Sequence, residues 1–316
     1  MALANTFHPS GLVRLSLFCA LLVCLTFAAS ARCAEADDAV KVGFLAPLTG
    51  DMAAFGTDGR RAAEFALEDF QPQSKLKERK LQLVVEDSQC SGKTSAAAAS
   101  RLTAIEHVQA IVHCGCSTEV LSAAPIIERA KTVLLASASE SAAISQAGEY
   151  IFRISPNTRQ AGSDLAEWIA GSGFRRAALI TENLDYALSL RDEFVRNFTK
   201  LHGVIAADET YNPAENDFRI LLSRIRATKP DVLFVNPQTG LKAGLIVKHL
   251  REINWTTPVF GNYAFNLQDA PRAAGGYEVL TGVRFVDYPV VSGKAGVTLL
   301  ARFRKRYGEP QSDFNI

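Results

Sequence analysis

Short runs of β-branched and aliphatic residues alternate along this chain with longer stretches whose apolar positions recur every three to four residues. Val40-Lys41-Val42-Gly43-Phe44-Leu45 is the first such run and predicts a strand. From Gly59 to Phe70, Ala62, Phe65, Ala66 and Phe70 fall on one face of a predicted helix. The alternation continues as strand 81–87, helix 94–106, strand 109–113, helix 118–130 and strand 132–136. Repeats of this kind specify a parallel sheet with helices on both faces. A second series follows Ile151-Phe152-Arg153-Ile154-Ser155-Pro156: helix 159–171, strand 177–181, helix 187–201, strand 204–211, helix 217–227, strand 231–235, helix 240–253 and strand 258–260. The expected fold class is therefore α/β, with two doubly wound parallel-sheet lobes of similar size. Ligands of open parallel sheets bind beyond the carboxyl ends of the strands. Loops 46–56, 114–118, 136–141, 182–186, 236–240 and 261–265 are expected to converge there on one cleft.

A length of 316 residues agrees with two lobes or one large α/β domain and excludes a single small module. Hydrophobic residues at 48% and charged residues at 21% exclude disordered, collagen-like and coiled-coil chains. Lys and Arg number 34 against 33 Asp and Glu, and Arg14 is the only charged residue among the first 31. Without that segment the charges balance, which gives no support for a nucleic-acid partner.

Arg14 precedes an apolar run from Leu15 to Ala29, followed by the small residues Ala29-Ser30-Ala31. Residues 1–31 read as a cleaved secretory signal, and the run falls short of the ~20 residues that span a bilayer. Arg32 before Cys33 argues against lipid attachment. The expected location is periplasmic or extracellular, an oxidising space in which cysteines pair. Cys33, Cys90, Cys114 and Cys116 remain after cleavage. Cys90 follows one predicted strand and Cys114 and Cys116 the next, so Cys90 is in reach of either. A metal site from Cys90, His113, Cys114 and Cys116 is disfavoured, because strand alternation sends His113 and Cys114 to opposite faces. No metal or other cofactor is expected.

Four segments in register carry a resemblance. They are Val42 to Gly50 with Ala53-Ala54-Phe55-Gly56; Tyr150 to Pro156 with Gly162; Asp185-Tyr186; and Tyr211 to Val235, containing Asp217-Phe218, Ile225 and Lys229-Pro230-Asp231. Together they resemble the leucine/isoleucine/valine-binding type of periplasmic solute-binding protein. That resemblance implies the type I periplasmic binding fold, two lobes joined by a hinge. Residues 40–154 would form lobe I, 155–284 lobe II, and 285–316 a return to lobe I that stops short of the family's usual end, as in a truncated product. It also implies a monomer that closes on a small-molecule ligand and delivers it to an ABC-type membrane permease. Two other classes compete: a sensory domain regulating a receptor, and a secreted α/β enzyme. The chain has neither G-x-G-x-x-G after its first strand nor a G-x-S-x-G elbow, and His107, His113, His202 and His249 lack catalytic or metal spacing. No enzymatic activity is expected.

The resemblance assigns roles residue by residue. Phe55 matches an aromatic of the first ligand loop. Ser117 follows Cys116 as the family's carboxylate-binding serine follows its disulfide cysteine, which implies a Cys90–Cys116 bridge and leaves Cys33 and Cys114 unassigned. Tyr186 matches a loop tyrosine, with Ala187 in place of the usual glycine. Around 138–140 the family presents a backbone group and a threonine to a ligand carboxylate; this chain has Ala138 and Glu140, or Ser139 if shifted by one residue. Thr239 replaces a pocket tyrosine. Tyr263 stands where amino-acid binders place the acid that holds the α-ammonium. Branched-chain amino acids are therefore expected to bind poorly and a small carboxylate or amide better, unless Glu140 turns inward and takes the ammonium.

Overall fold

The computed structural model describes residues 39–73, 79–288, 291 and 293–312. The signal segment, Cys33 and residues 313–316 lie outside the described residues. Residues 39–40 and 79–80 belong to a small unit, in which the Val40 amide donates to the Lys80 carbonyl at 2.8 Å. All other described residues belong to one compact unit.

The first sheet contains β1 (Val40–Ala46), β2 (Leu81–Asp87), β3 (Ala110–His113), β4 (Val133–Ala136) and β5 (Ile151–Arg153), in the order β2-β1-β3-β4-β5. Its helices are α1 (Ala53–Phe70), α2 (Gly92–Ser100) and α3 (Ser117–Ala130). The second sheet contains β6 (Arg176–Glu182), β7 (Val204–Tyr211), β8 (Val232–Asn236), β9 (Val259–Gly261) and β10 (Arg284–Phe285), in the order β10-β9-β8-β6-β7. Around it lie α4 (Thr158–Gly171), α5 (Asp185–Lys200), α6 (Arg219–Ala227), α7 (Gly240–Glu252) and α8 (Asp269–Ala274). Parallel registers run through both sheets, for example Leu45 opposite His113 and Leu179 opposite Phe234. The central strand β8 is buried at all five positions, as a strand covered on both faces must be.

Three elements differ from the sequence expectation. Helix α1 starts six residues earlier than its periodicity predicts, because Gly56 and Gly59 interrupt the apolar pattern. Packing requires those glycines: a Cβ on Gly56 would lie 2.0 Å from the Pro47 carbonyl oxygen, and one on Gly59 2.4 Å from Cys114 Sγ. The predicted helix 94–106 divides into α2 and a π turn at Arg101–Ile105. Ile151–Arg153, in a segment assigned only to the crossing between lobes, is an edge strand paired with β4.

The last helix, α9 (Lys294–Tyr307), packs against α1. Phe65 meets Phe303 and Tyr307 at centroid distances of 6.4 and 5.5 Å. Arg302 pairs with Asp69 at 2.6 Å and Arg306 with Glu68 at 2.9 Å. No helix among the described residues is long and apolar enough to cross a membrane. One contiguous buried cluster joins the lobes, running from Phe44 and Phe55 through Cys116 to Tyr186, Phe234 and Tyr263.

Candidate functional site

In the first lobe the loops after β2 and β3 converge on one carboxylate, and the loop after β4 joins them through His113. Glu119, fully buried in the first turn of α3, accepts from the Cys90 amide at 2.7 Å and the Ser88 hydroxyl through Oε1. Its Oε2 accepts from the Cys116 amide at 2.8 Å and lies 2.7 Å from His113 Nε2. The other His113 nitrogen lies 3.2 Å from Ser139 Oγ, which donates to the Gly115 carbonyl at 2.8 Å. A buried acid is tolerable when donors fill its lone pairs, and here they come from the loops after β2 and β3 and from His113 at the end of β3. Cys90 and Cys116 form the expected disulfide, with Cα atoms 5.5 Å apart. Their sulfurs and a Glu119 oxygen lie within 4.8 Å of one another, but a disulfide offers no thiolate to a metal. Burial pushes the thiol of Cys114 up to about 12, which leaves it unreactive.

Ser117 is the first residue of α3, and its Oγ accepts the amides of Glu140 at 3.1 Å and Ser141 at 3.0 Å. It therefore positions the loop that carries Glu140. Ser139 is turned into the Glu119 network, and half-buried Ala138 packs against the shared core. Phe55 lies in the first turn of α1 rather than in a loop.

In the second lobe, buried amides align the strand ends. Asn262 donates to Asn236 Oδ1 and the Pro237 carbonyl, both at 2.8 Å, while Asn236 donates to the Ala187 carbonyl at 2.7 Å. The Tyr263 hydroxyl donates to the Gln238 carbonyl at 3.0 Å and accepts from Gln238 Nε2 at 2.9 Å. Tyr186, second residue of α5, meets the Tyr263 ring edge-on at 5.3 Å. The Tyr288 ring makes a tilted contact with Tyr263, with centroids 5.2 Å apart. Thr239 is the N-cap of α7, accepting from the Lys242 amide at 3.2 Å. Thr239→Ala is accordingly expected to lower unfolding free energy by about 1 kcal/mol in urea titration, with ligand affinity unchanged.

A cleft of about 250 Å³ opens where these parts meet, and Glu140, Tyr186 and Tyr263 line it. Phe55, Ser117, Ala138, Ser139 and Thr239 are not among its lining residues. The remaining wall comes from the start of α4, with Asn157, Gln160 and Asp164, and from Val286, Asp287 and Tyr288 after β10. Hydrogen bonds connect the lobes nearby: the Asp185 amide donates to Thr118 Oγ1 at 3.2 Å, the Ala142 amide to Ser189 Oγ at 3.0 Å, and the Thr158 amide to the Glu140 carbonyl at 3.0 Å.

The family model described as periplasmic binding protein matches residues 39–315. The chain belongs to this family. An amino acid binding protein of Pseudomonas aeruginosa is 26% identical over 248 residues, which cover 77% of this chain and 66% of that protein, just under two thirds of its length. A leucine-binding protein of Thermotoga maritima has a TM-score of 0.78 at 24% identity, covering 87% of this chain and 78% of its own. The solute-binding protein of a Rhodopseudomonas palustris ABC transporter, solved with 3,4-dihydroxybenzoic acid, has a TM-score of 0.77 at 22% identity, covering 88% and 77%.

The electrostatics of this periplasmic binding protein centre on Glu140, whose direction the sequence leaves open and which faces the cleft. Burial pushes its carboxyl well above the usual range; Arg153 opposes the shift and Asp287 adds to it. The Arg153 guanidinium is already bonded to the Ser141 carbonyl at 3.0 Å and Ser145 Oγ at 2.9 Å. Burial also raises Asp287, to about 6, against a hydrogen bond from Asn266. The phenols of Tyr186 and Tyr263 are raised first by burial and then by the charge of Glu140. Sequence reasoning missed Glu119, Asp164, Asp287 and Tyr288. The available signal was topological, since segments crossing between two sheets must pass the cleft.

Proposed function

We propose that this periplasmic binding protein captures a small solute between its lobes and passes it to an ABC-type permease outside the cytoplasm, residues 1–31 having directed its export. The observation that carries the reading is the cleft itself, where buried Glu140 of the first lobe faces Tyr186 and Tyr263 of the second. Ligand held there contacts both lobes at once, so its binding energy favours the closed arrangement that a permease can distinguish. The transporter context of the Rhodopseudomonas palustris neighbour supports the permease partner. Binding needs no reacting group, and the nitrogens of His113 are engaged inside the first lobe.

A thermal-shift screen of small solutes tests the reading. A true ligand at about 100 times its Kd adds ~2.7 kcal/mol of stability. Small-angle scattering should register compaction with the same compound. The reading fails if no solute stabilises the protein, or if a bound compound is chemically converted and Tyr186→Ala abolishes the conversion.

A further inference from the structure

We propose that the solute is an organic cation, its ammonium group held by Glu140 against the rings of Tyr186 and Tyr263 and its body apolar or aromatic. The proposal rests on the solute-binding reading and adds the ligand's charge. Glu140 is only 5% exposed, faces the cleft, and makes no hydrogen bond or ion pair through its carboxyl among the described residues, Arg153 acting on it only through charge while its guanidinium is bonded to Ser141 and Ser145. Other deeply buried acids are satisfied: Glu119 by its four donors, Glu182 by the Gln238 amide at 2.7 Å and the Tyr211 hydroxyl at 3.3 Å, and Glu193 by Arg196 at 2.5 Å. An unpaired buried carboxyl is costly, and Ser117 nonetheless holds this loop in place through two amides. A ligand cation supplies the missing partner.

Tyr186 points the same way. It is 4% exposed, lines the cleft, and its hydroxyl has no hydrogen-bond partner among the described residues. Tyr263 and Tyr288 line the same cleft, and aromatic rings attract a desolvated cation. Asp164 and Asp287 reinforce the sign, and no Lys, Arg or His is among the lining residues. A ligand carboxylate placed as in amino-acid binders would face Glu140, and the Ser117 oxygen already accepts two amides.

Calorimetry on the mature chain with two matched sets decides the matter. The first is 3-methylbutylamine, leucine and 4-methylpentanoate; the second is phenethylamine, phenylalanine and 3-phenylpropanoate. In at least one set the amine should bind tenfold or more tighter than the acid and no weaker than the amino acid. Glu140→Gln should weaken amine binding at least tenfold while its ligand-free melting temperature stays at or above that of the parent, which separates lost recognition from lost folding. Tighter binding of the acid, an amino acid tenfold tighter than its amine, or amine binding unchanged in Glu140→Gln would overturn the cation assignment and leave the solute-binding reading standing. A neutral amide from the screen outcompeting every amine would also overturn it, with Glu140 then a protonated donor. Failure of all six compounds and of the whole screen would overturn both.

Discussion

Glu119→Ala is expected to lower the unfolding free energy by about 3–5 kcal/mol, the range for removing one partner from a buried, hydrogen-bonded charge network. The mutation leaves the Ser88 hydroxyl, the Cys90 and Cys116 amides and His113 Nε2 buried together without their acceptor. Those donors lie in the loops after β2 and β3, and His113 continues the network to Ser139 after β4. The loop that carries Glu140 should therefore loosen, and ligand affinity should fall with stability. Urea denaturation checks the first effect and calorimetry the second. A loss below 1 kcal/mol would mean that the loops keep their places without the carboxylate.

Breaking the disulfide has the second large effect. The bond joins residues 26 apart, and the chain-entropy model values such a closure at about 3.5 kcal/mol. Cys90→Ser combined with Cys116→Ser should lower stability by roughly that amount, as should thorough reduction of the parent. The backbone amides of both cysteines donate to Glu119, so the disulfide and the carboxylate secure the same two loops. Combining their removal should then cost less than the sum of the separate losses, a coupling that a double-mutant cycle measures. Full additivity would show that the two act independently.

The elements of this fold were legible because the information is local. The runs around Phe44, Leu179 and Phe234 are apolar without interruption because both faces of each sheet are covered, and strand-helix alternation then leaves little choice but parallel sheets. The Cys90–Cys116 pairing was legible through resemblance, since strand position alone placed Cys90 within reach of Cys114 as well. Helix α1 was read short because glycine marks a break in local propensity, whereas at Gly56 it answers the close approach of the Pro47 carbonyl in the loop between β1 and α1.

The site divides along the same line. Tyr186 and Tyr263 could be placed at the cleft from their positions at the start of α5 and after β9. Resemblance assigns Ser117 and Thr239 to the ligand site; their residue type alone leaves the role open, because a hydroxyl at a helix start can cap, bind a ligand or pull in a loop, and only its neighbours in space select among these. Ser139 and Glu140 are adjacent in the chain, yet one is drawn into the His113 network and the other faces the cleft. Their composition contains nothing that orders them. The order comes from two amides bonded to Ser117 and from a histidine 26 residues away, so the sign of the charge presented to a ligand is a property of the folded loop.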